Sequence, residues 1–369
     1  LLAALLYGKE DLRLERVDDP TPDAGEVVIR VGAATTCGTD LKVWRRGGHA
    51  RMLQVPTLFG HEAAGEIVAL GSGVTGWQVG DRVVANNSAP CMICFFCQKQ
   101  EYSLCQNLRF NNGTFAEFLK IPAAIVQHNL LSIPPGLPYA LASMTEPLAC
   151  VLHGAARSGV QPGDRVVVLG DGAIGLMFVA ALSSGKGNWL PSSPPLPPIP
   201  HPPSPIPHPF SHVFLFGGND QRLEIGERLG AVKTWNYKAV EDIPALVRQL
   251  TDGWGADVVI EATGVPSVWE TAIACARPGA TVNLFGGCPR DTTITVSTEQ
   301  LHYSELTLKG VFHNTPRYVR AALDLLSSRT LPFELLLSSE HPLSQLEQVF
   351  QQMKQRMVVK VAIVPGAED

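Results

Sequence analysis

The chain has 369 residues, 45% of them hydrophobic and 17% charged, with a formal net charge of −5. That length allows two domains with full-sized cores, and the balance is that of an ordinary globular protein. The negative charge argues against a nucleic acid or an anionic membrane as partner, and no apolar run reaches transmembrane length.

The chain does not open on Met, so its start is read as trimmed. The apolar N-terminus has no basic n-region and no cleavage site, so a first strand is expected there. Eight cysteines could mean disulfides, but five stand at metal-like positions, so reduced thiols and a cytoplasmic location are expected.

Residues 1 to 36 carry short strand-like runs such as Glu26–Val31, broken by Pro20, Pro22 and Gly25. Cys37-Gly38-Thr39-Asp40 follows. The Thr39 hydroxyl, two residues past the thiol, could take a proton from a bound alcohol; the plain alternative is a turn Thr bonding its own backbone. Asp40 could orient a metal ligand from behind. Next comes Gly60-His61-Glu62, and Glu146 lies downstream in Thr145-Glu146-Pro147-Leu148. A soft sulfur, an imidazole and carboxylates from separate loops are what zinc accepts while keeping a position open for substrate. The bland alternative is a packed Cys, a core His and two surface acids. Strand candidates at Glu66–Leu70 and Asp81–Ala85, with glycine turns between them, suggest a β-rich, barrel-like domain.

Cys91, Cys94 and Cys97 are spaced by two residues, and Cys105 follows after seven more. Four thiols so close can close a tetrahedral zinc shell, which leaves no room for substrate and is therefore structural. An iron–sulfur cluster suits this spacing less well.

Arg165–Leu169 reads as an apolar strand, Gly170-Asp171-Gly172-Ala173-Ile174-Gly175 as a tight turn, and the residues to Leu182 as an apolar helix. Gly170 makes the turn, Gly172 admits a pyrophosphate, Gly175 lets helix pack on strand, and the helix N-terminus receives the phosphates. Further strands at Val213–Phe216, Asp257–Ala262, Thr281–Phe285 and Leu306–Val311 alternate with helices at Gln221–Leu229, Ile243–Leu250 and Ser267–Ala276. That is the pattern of an α/β fold with a doubly wound parallel sheet. Thr263-Gly264 and Gly286-Gly287 end two of its strands, where an open sheet places ligand. Within a Pro-rich insertion at residues 186–212, Pro191–Pro209 can be neither helix nor internal strand and is expected as an extended loop, with His201 and His208 solvated. Tyr318–Leu326 and Leu343–Met353 read as amphipathic helices.

With these motifs assembled, the chain resembles the zinc-dependent medium-chain dehydrogenase/reductase superfamily, and most of all its sorbitol (polyol) and threonine dehydrogenase branch. The resemblance covers nearly all of the chain outside residues 186–212. It implies a Rossmann doubly wound parallel sheet plus a β-rich GroES-like catalytic domain. The catalytic zinc domain would span residues 1–150, with a structural-zinc lobe at 86–110. The dinucleotide-binding domain would span 151–313, and residues 314–369 would return to the catalytic domain.

By the same resemblance, catalytic zinc is held by Cys37, His61 and Glu62, with Glu146 a fourth ligand or linked through water. Structural zinc is held by Cys91, Cys94, Cys97 and Cys105. NAD or NADP is held by Gly170, Asp171, Gly172, Ala173, Ile174 and Gly175, by Gly217 and Arg222, and by Thr263, Gly264, Phe285, Gly286, Phe312 and His313. Val43, Trp44 and His313 would shape the substrate pocket. The implied reaction is reversible oxidation of a secondary or polyol hydroxyl to a carbonyl, in a homodimer or homotetramer. An amino-alcohol dehydrogenase of the threonine type and a non-catalytic cofactor-binding relative are the alternatives. A zinc-free quinone-type reductase would need Cys37, His61 and Glu146 replaced. Two positions depart from the pattern. Gly217 stands where NAD-using relatives carry an acid, with Arg222 nearby, so NAD against NADP stays open. His313 stands where sorbitol dehydrogenases carry an arginine, so sorbitol itself is in doubt.

Overall fold

The computed structural model describes residues 1–48, 53–183 and 212–366. The Pro-rich stretch therefore lies outside the described residues, apart from His212. The chain divides into two compact units, Leu1–Cys150 with His313–Asp369, and Val151–Phe312.

The first unit is built on the strand Val27–Thr35, whose residues are buried almost throughout. It pairs antiparallel with Ala63–Leu70, Phe118–Ile121 and Lys360–Val364. The sheet continues through Arg82–Ala85 to Leu130–Ser132 on one side and to Leu337–Pro342 on the other. Register shifts at Val28/Ile29 and Val31/Ala33 bend the strand, as bulges do in closed or strongly curled sheets. Gly65 permits the tight pairing: a Cβ there would lie 2.0 Å from the Arg30 carbonyl oxygen.

The core of this unit gathers Trp44, Phe59, Phe115 and Phe350. The Trp44 ring stacks on Phe350 with centroids 5.6 Å apart. This corrects the expectation that Val43 and Trp44 shape a substrate pocket, since they are 2% and 0% exposed. They lie in the helix Gly38–Arg46, whose buried residues Asp40, Val43 and Trp44 follow the i, i+3, i+4 spacing of one helical face. Gly47, at φ 78°, ends that helix in the left-handed conformation. The packing of this face sets where the N-terminus of the helix, and so Cys37, must lie.

Glu146 also belongs to a helix rather than a loop. Thr145–Ser158 is one 14-residue helix. Pro147 is tolerated because the amide nitrogens of a first turn have no intrahelical partner to lose.

Among the described residues, the second unit contains six parallel strands. In spatial order they are Lys233–Asn236, His212–Gly217, Arg165–Leu169, Ala256–Glu261, Ala276–Leu284 and Thr307–Gly310. By chain position this is 3-2-1-4-5-6, the doubly wound arrangement whose ligand crevice opens where the order reverses. The helix Ala173–Ser183 is apolar nearly all round and buries eight consecutive residues, Gly175 to Leu182. Among the described residues, no helix is long and apolar enough to cross a membrane.

Trp44→Ala is expected to lower stability by about 3–5 kcal/mol, because it opens a large cavity in a packed aromatic cluster. A lower unfolding midpoint for this unit, read by tryptophan-independent circular dichroism, is the check.

Candidate functional site

Cys37 caps the helix Gly38–Arg46, and its Sγ accepts from the Thr39 amide at 3.4 Å. The cap is reciprocal: Asp40 Oδ2 accepts from the Cys37 amide at 3.0 Å. The other oxygen, Oδ1, lies 2.8 Å from His61 Nδ1. One buried carboxylate therefore fixes both the thiol-bearing residue and the imidazole, with Nε2 turned to a different task. Burial opposes the His61 imidazolium. The charge and hydrogen bond of Asp40, with help from Cys37, outweigh it and hold the His61 pKa well above the usual histidine range.

Glu62 is completely buried. Its Oε2 accepts from the Thr35 hydroxyl and from Lys360 Nζ, the latter at 2.6 Å. Lys360 is itself 1% exposed and also donates to the Thr36 carbonyl at 2.7 Å. The remaining oxygen, Oε1, is buried without a hydrogen-bond partner. A buried acceptor left unpaired is costly unless something electropositive meets it. Donor atoms of Cys37, His61 and Glu62 lie within 4.8 Å of one another. Sulfur, imidazole nitrogen and carboxylate oxygen make a set suited to zinc, so these residues fit that ion.

Glu146, expected with those three, falls in a neighbouring group. It shares a 4.8 Å cluster with Cys150 and His313. Its Oε1 accepts from Asn87 Nδ2 at 3.2 Å and lies 3.6 Å from Cys150 Sγ. Burial raises the Glu146 pKa to about 7, with His61 and Lys360 lowering it and Glu62 raising it. Glu146 thus feels both residues of the His61-Glu62 pair. His313 Nε2 meets Ser88 Oγ at 2.5 Å, and Nδ1 lies 3.9 Å from Glu146 Oε1. The adjoining Asn314 exchanges side-chain amide bonds with Asn86, both at 3.2 Å, which anchors this segment.

Lys360, Asn87, Ser88 and Cys150 were absent from the sequence reading. A lone lysine in the apolar run Val358-Val359-Lys360-Val361 was the only available sign of the first. Nothing marked the other three. Thr39 is half-buried at the start of its helix, beside the thiol, where the sequence places it.

Cys91, Cys94, Cys97 and Cys105 also lie within 4.8 Å of one another. The Asn107 side chain donates to Cys91 and lowers its pKa to about 6, whereas burial raises that of Cys97 to about 12. Among the described residues no disulfide is formed. This second donor set is the all-sulfur shell that a closed zinc site requires.

In the second unit, the turn runs from Gly170, at φ 124°, into the helix Ala173–Ser183. A Cβ on Gly175 would stand 1.9 Å from the Gly170 carbonyl oxygen, so helix and strand meet backbone to backbone. Asp171 reaches the end of the next strand, where Gly217 lies. Arg222 is in the helix Asp220–Arg228, capped by Asn219. Buried Glu261 accepts from the Thr263 amide at 2.6 Å and the Gly264 amide at 3.0 Å, fixing that strand end. Gly286 packs against it, its amide donating to the Glu261 carbonyl at 2.9 Å. The Phe285 ring makes an edge contact with Phe178 at 5.0 Å. Phe312, 41% exposed, closes this unit, whereas His313 belongs to the first.

The sequence matches the family model of the alcohol dehydrogenase GroES-like domain over residues 23–135 and that of zinc-binding dehydrogenases over residues 210–328. Sorbitol dehydrogenase of Halalkalibacterium halodurans is 31% identical, over 97% of each chain. L-threonine 3-dehydrogenase of Pyrococcus horikoshii is 32% identical, over 83% of this chain and 80% of that one. The solved alcohol dehydrogenase TADH from Thermus sp. ATN1 matches with a TM-score of 0.84 at 25% identity, over 99% of this chain and 100% of that one. Fold, donor sets and sequence agree: this chain belongs to the zinc-dependent medium-chain dehydrogenase/reductase superfamily and is an NAD(P)-dependent zinc oxidoreductase acting on CH–OH donors.

Proposed function

We propose that the enzyme reversibly oxidises a secondary or polyol-type alcohol to a carbonyl at a zinc site formed by Cys37, His61 and Glu62. Glu146 serves as a fourth donor or is linked through water. The observation that carries this reading is the Cys37–His61–Glu62 group, with donor atoms within 4.8 Å and a buried Glu62 oxygen that has no hydrogen-bond partner. Cys91, Cys94, Cys97 and Cys105 hold a second, structural zinc. When bound, zinc supplies Lewis-acid polarisation of the substrate oxygen, and NAD(P) supplies the hydride acceptor.

The chain's own residues do the rest. Asp40 orients His61, and Lys360 balances the Glu62 charge. The Thr39 hydroxyl takes the alcohol proton and passes it to solvent. Buried Ser88 meets His313 Nε2, which fixes the His313 ring beside Glu146. On the cofactor side, Gly170, Asp171, Gly172, Ala173, Ile174 and Gly175 receive the pyrophosphate. Gly217 and Arg222 lie toward the adenosine ribose, and Thr263, Gly264, Phe285 and Gly286 at two further strand ends. The enzyme acts as a homodimer or homotetramer in the cytoplasm, a reading supported by the family resemblance and by five cysteines at metal-like positions.

An amino alcohol of the threonine type is the second reading, favoured by the 32% identity to a threonine dehydrogenase. A panel of sugars, polyols and amino alcohols assayed with both cofactors decides between them. Turnover of polyols above threonine supports the first reading, and the reverse order the second.

Cys37→Ser is expected to abolish turnover and to lower zinc content from about two ions per chain to about one, with the circular dichroism spectrum unchanged. Retained turnover would end the catalytic role of this residue. Cys97→Ser opens the buried corner of the other shell. It should lower the melting temperature and release the structural ion, while NAD(P)H fluorescence still reports cofactor binding.

A further inference from the structure

The strand His212–Gly217 ends where a doubly wound sheet ordinarily offers an acid to the 2′-hydroxyl of the adenosine ribose. This chain has glycine there. The structure brings a carboxylate to the same place from another part of the chain. Asp171, between the first two glycines of the turn, is 7% exposed. Its Oδ2 accepts from the Gly218 and Asn219 amides, each at 2.8 Å. Its Oδ1 accepts no hydrogen bond among the described residues.

The glycine at 217 follows from this arrangement. A Cβ there would stand 2.5 Å from Asp171 Cβ and 2.7 Å from both Cγ and Oδ2. The two positions share one space, so only one of them can carry a side chain. Here the acid comes from the turn instead of the strand end. At Gly218 the space is filled likewise, by the Tyr237 ring, 2.5 Å from where a Cβ would be.

We propose that Asp171 determines cofactor choice, its carboxylate accepting an adenosine-ribose hydroxyl and excluding the 2′-phosphate, so that the enzyme uses NAD in preference to NADP. The proposal rests on the reading of the Gly170–Gly175 turn as the pyrophosphate site. Two features act against a 2′-phosphate. A fixed negative charge, little exposed to water, repels it. The Gly218 and Asn219 amides, which could otherwise bind an anion, are already given to the Asp171 carboxylate. Arg222 favours the phosphate by charge, but its helix begins beyond this carboxylate, at Asp220.

The test titrates the full-length zinc-loaded enzyme with NADH and with NADPH, following cofactor fluorescence. NADH should bind on the order of 100-fold more tightly. Asp171→Asn keeps an oxygen for the two amides but removes the charge, and should shrink that ratio at least about tenfold. The double change Asp171→Gly with Gly217→Asp moves the acid to the strand end and should restore the NADH preference. A purely structural Asp171 would weaken both cofactors together and leave the ratio unmoved. Equal or tighter NADPH binding by the unaltered enzyme, or a ratio indifferent to Asp171→Asn, overturns the proposal alone. Binding of neither cofactor by the folded enzyme overturns the dehydrogenase reading along with it.

Discussion

The Asp40 carboxylate is the interaction on which the candidate zinc site depends. One oxygen receives the backbone amide of Cys37 and the other meets the imidazole of His61. The first bond closes a helix cap, which is ordinary local structure. The second commits Nδ1, so the tautomer and the direction of the ring are set together. Sulfur and imidazole come from chain positions 24 residues apart. They share a reference point only because the helix Gly38–Arg46 is seated by Trp44 against Phe350, with Asp40 buried on the same face.

Charge balance around the group is equally specific. A buried glutamate beside a half-buried thiol and a buried imidazole would be costly without a counter-charge. Lys360 arrives from the C-terminal strand, which pairs with Val27–Thr35 and so lies directly beside the residues that lead into Cys37. The C-terminal segment is therefore part of the site rather than a trailing extension. Lys360 satisfies one Glu62 oxygen and leaves the other for a cation. Glu146, 6% exposed beside Asn87, Cys150 and His313 and raised by burial to about 7, contrasts with that compensated carboxylate. The two acids thus sit in different surroundings, Glu62 with Lys360 and Glu146 with Asn87, Cys150 and His313.

In the cofactor unit the governing constraint is close backbone approach. Gly175 touches the Gly170 carbonyl, and Gly217 yields its space to Asp171. Each glycine is explained by the atom that would collide with a side chain. The same physics serves both turn and strand end: where backbones or a folded-in carboxylate must pass within contact distance, only hydrogen fits.

Much of this was legible in the sequence. The Gly-x-Gly-x-x-Gly turn, the apolar strand before it and the alternation after it specify a parallel sheet, because these patterns are local and periodic. The four-cysteine spacing was legible for a similar reason, since few other chemistries use four thiols so spaced, whereas Cys37, His61 and Glu62 read equally well as packed residues until the assembled motifs resembled a known family. What the sequence could not say was which long-range partners would meet. Trp44 read as a pocket residue, yet the tertiary core claimed it, since a helix buries whichever face its neighbours leave dry. Glu146 read as a loop residue, yet it rides a helix and joins Cys150 and His313. Lys360 and Asp171 gained their places only when distant strands came together. Residue types and spacing are local information and were determined by the sequence alone; counter-charges, orphaned acceptors and shared space depend on contacts between remote segments, and only the folded structure decides those.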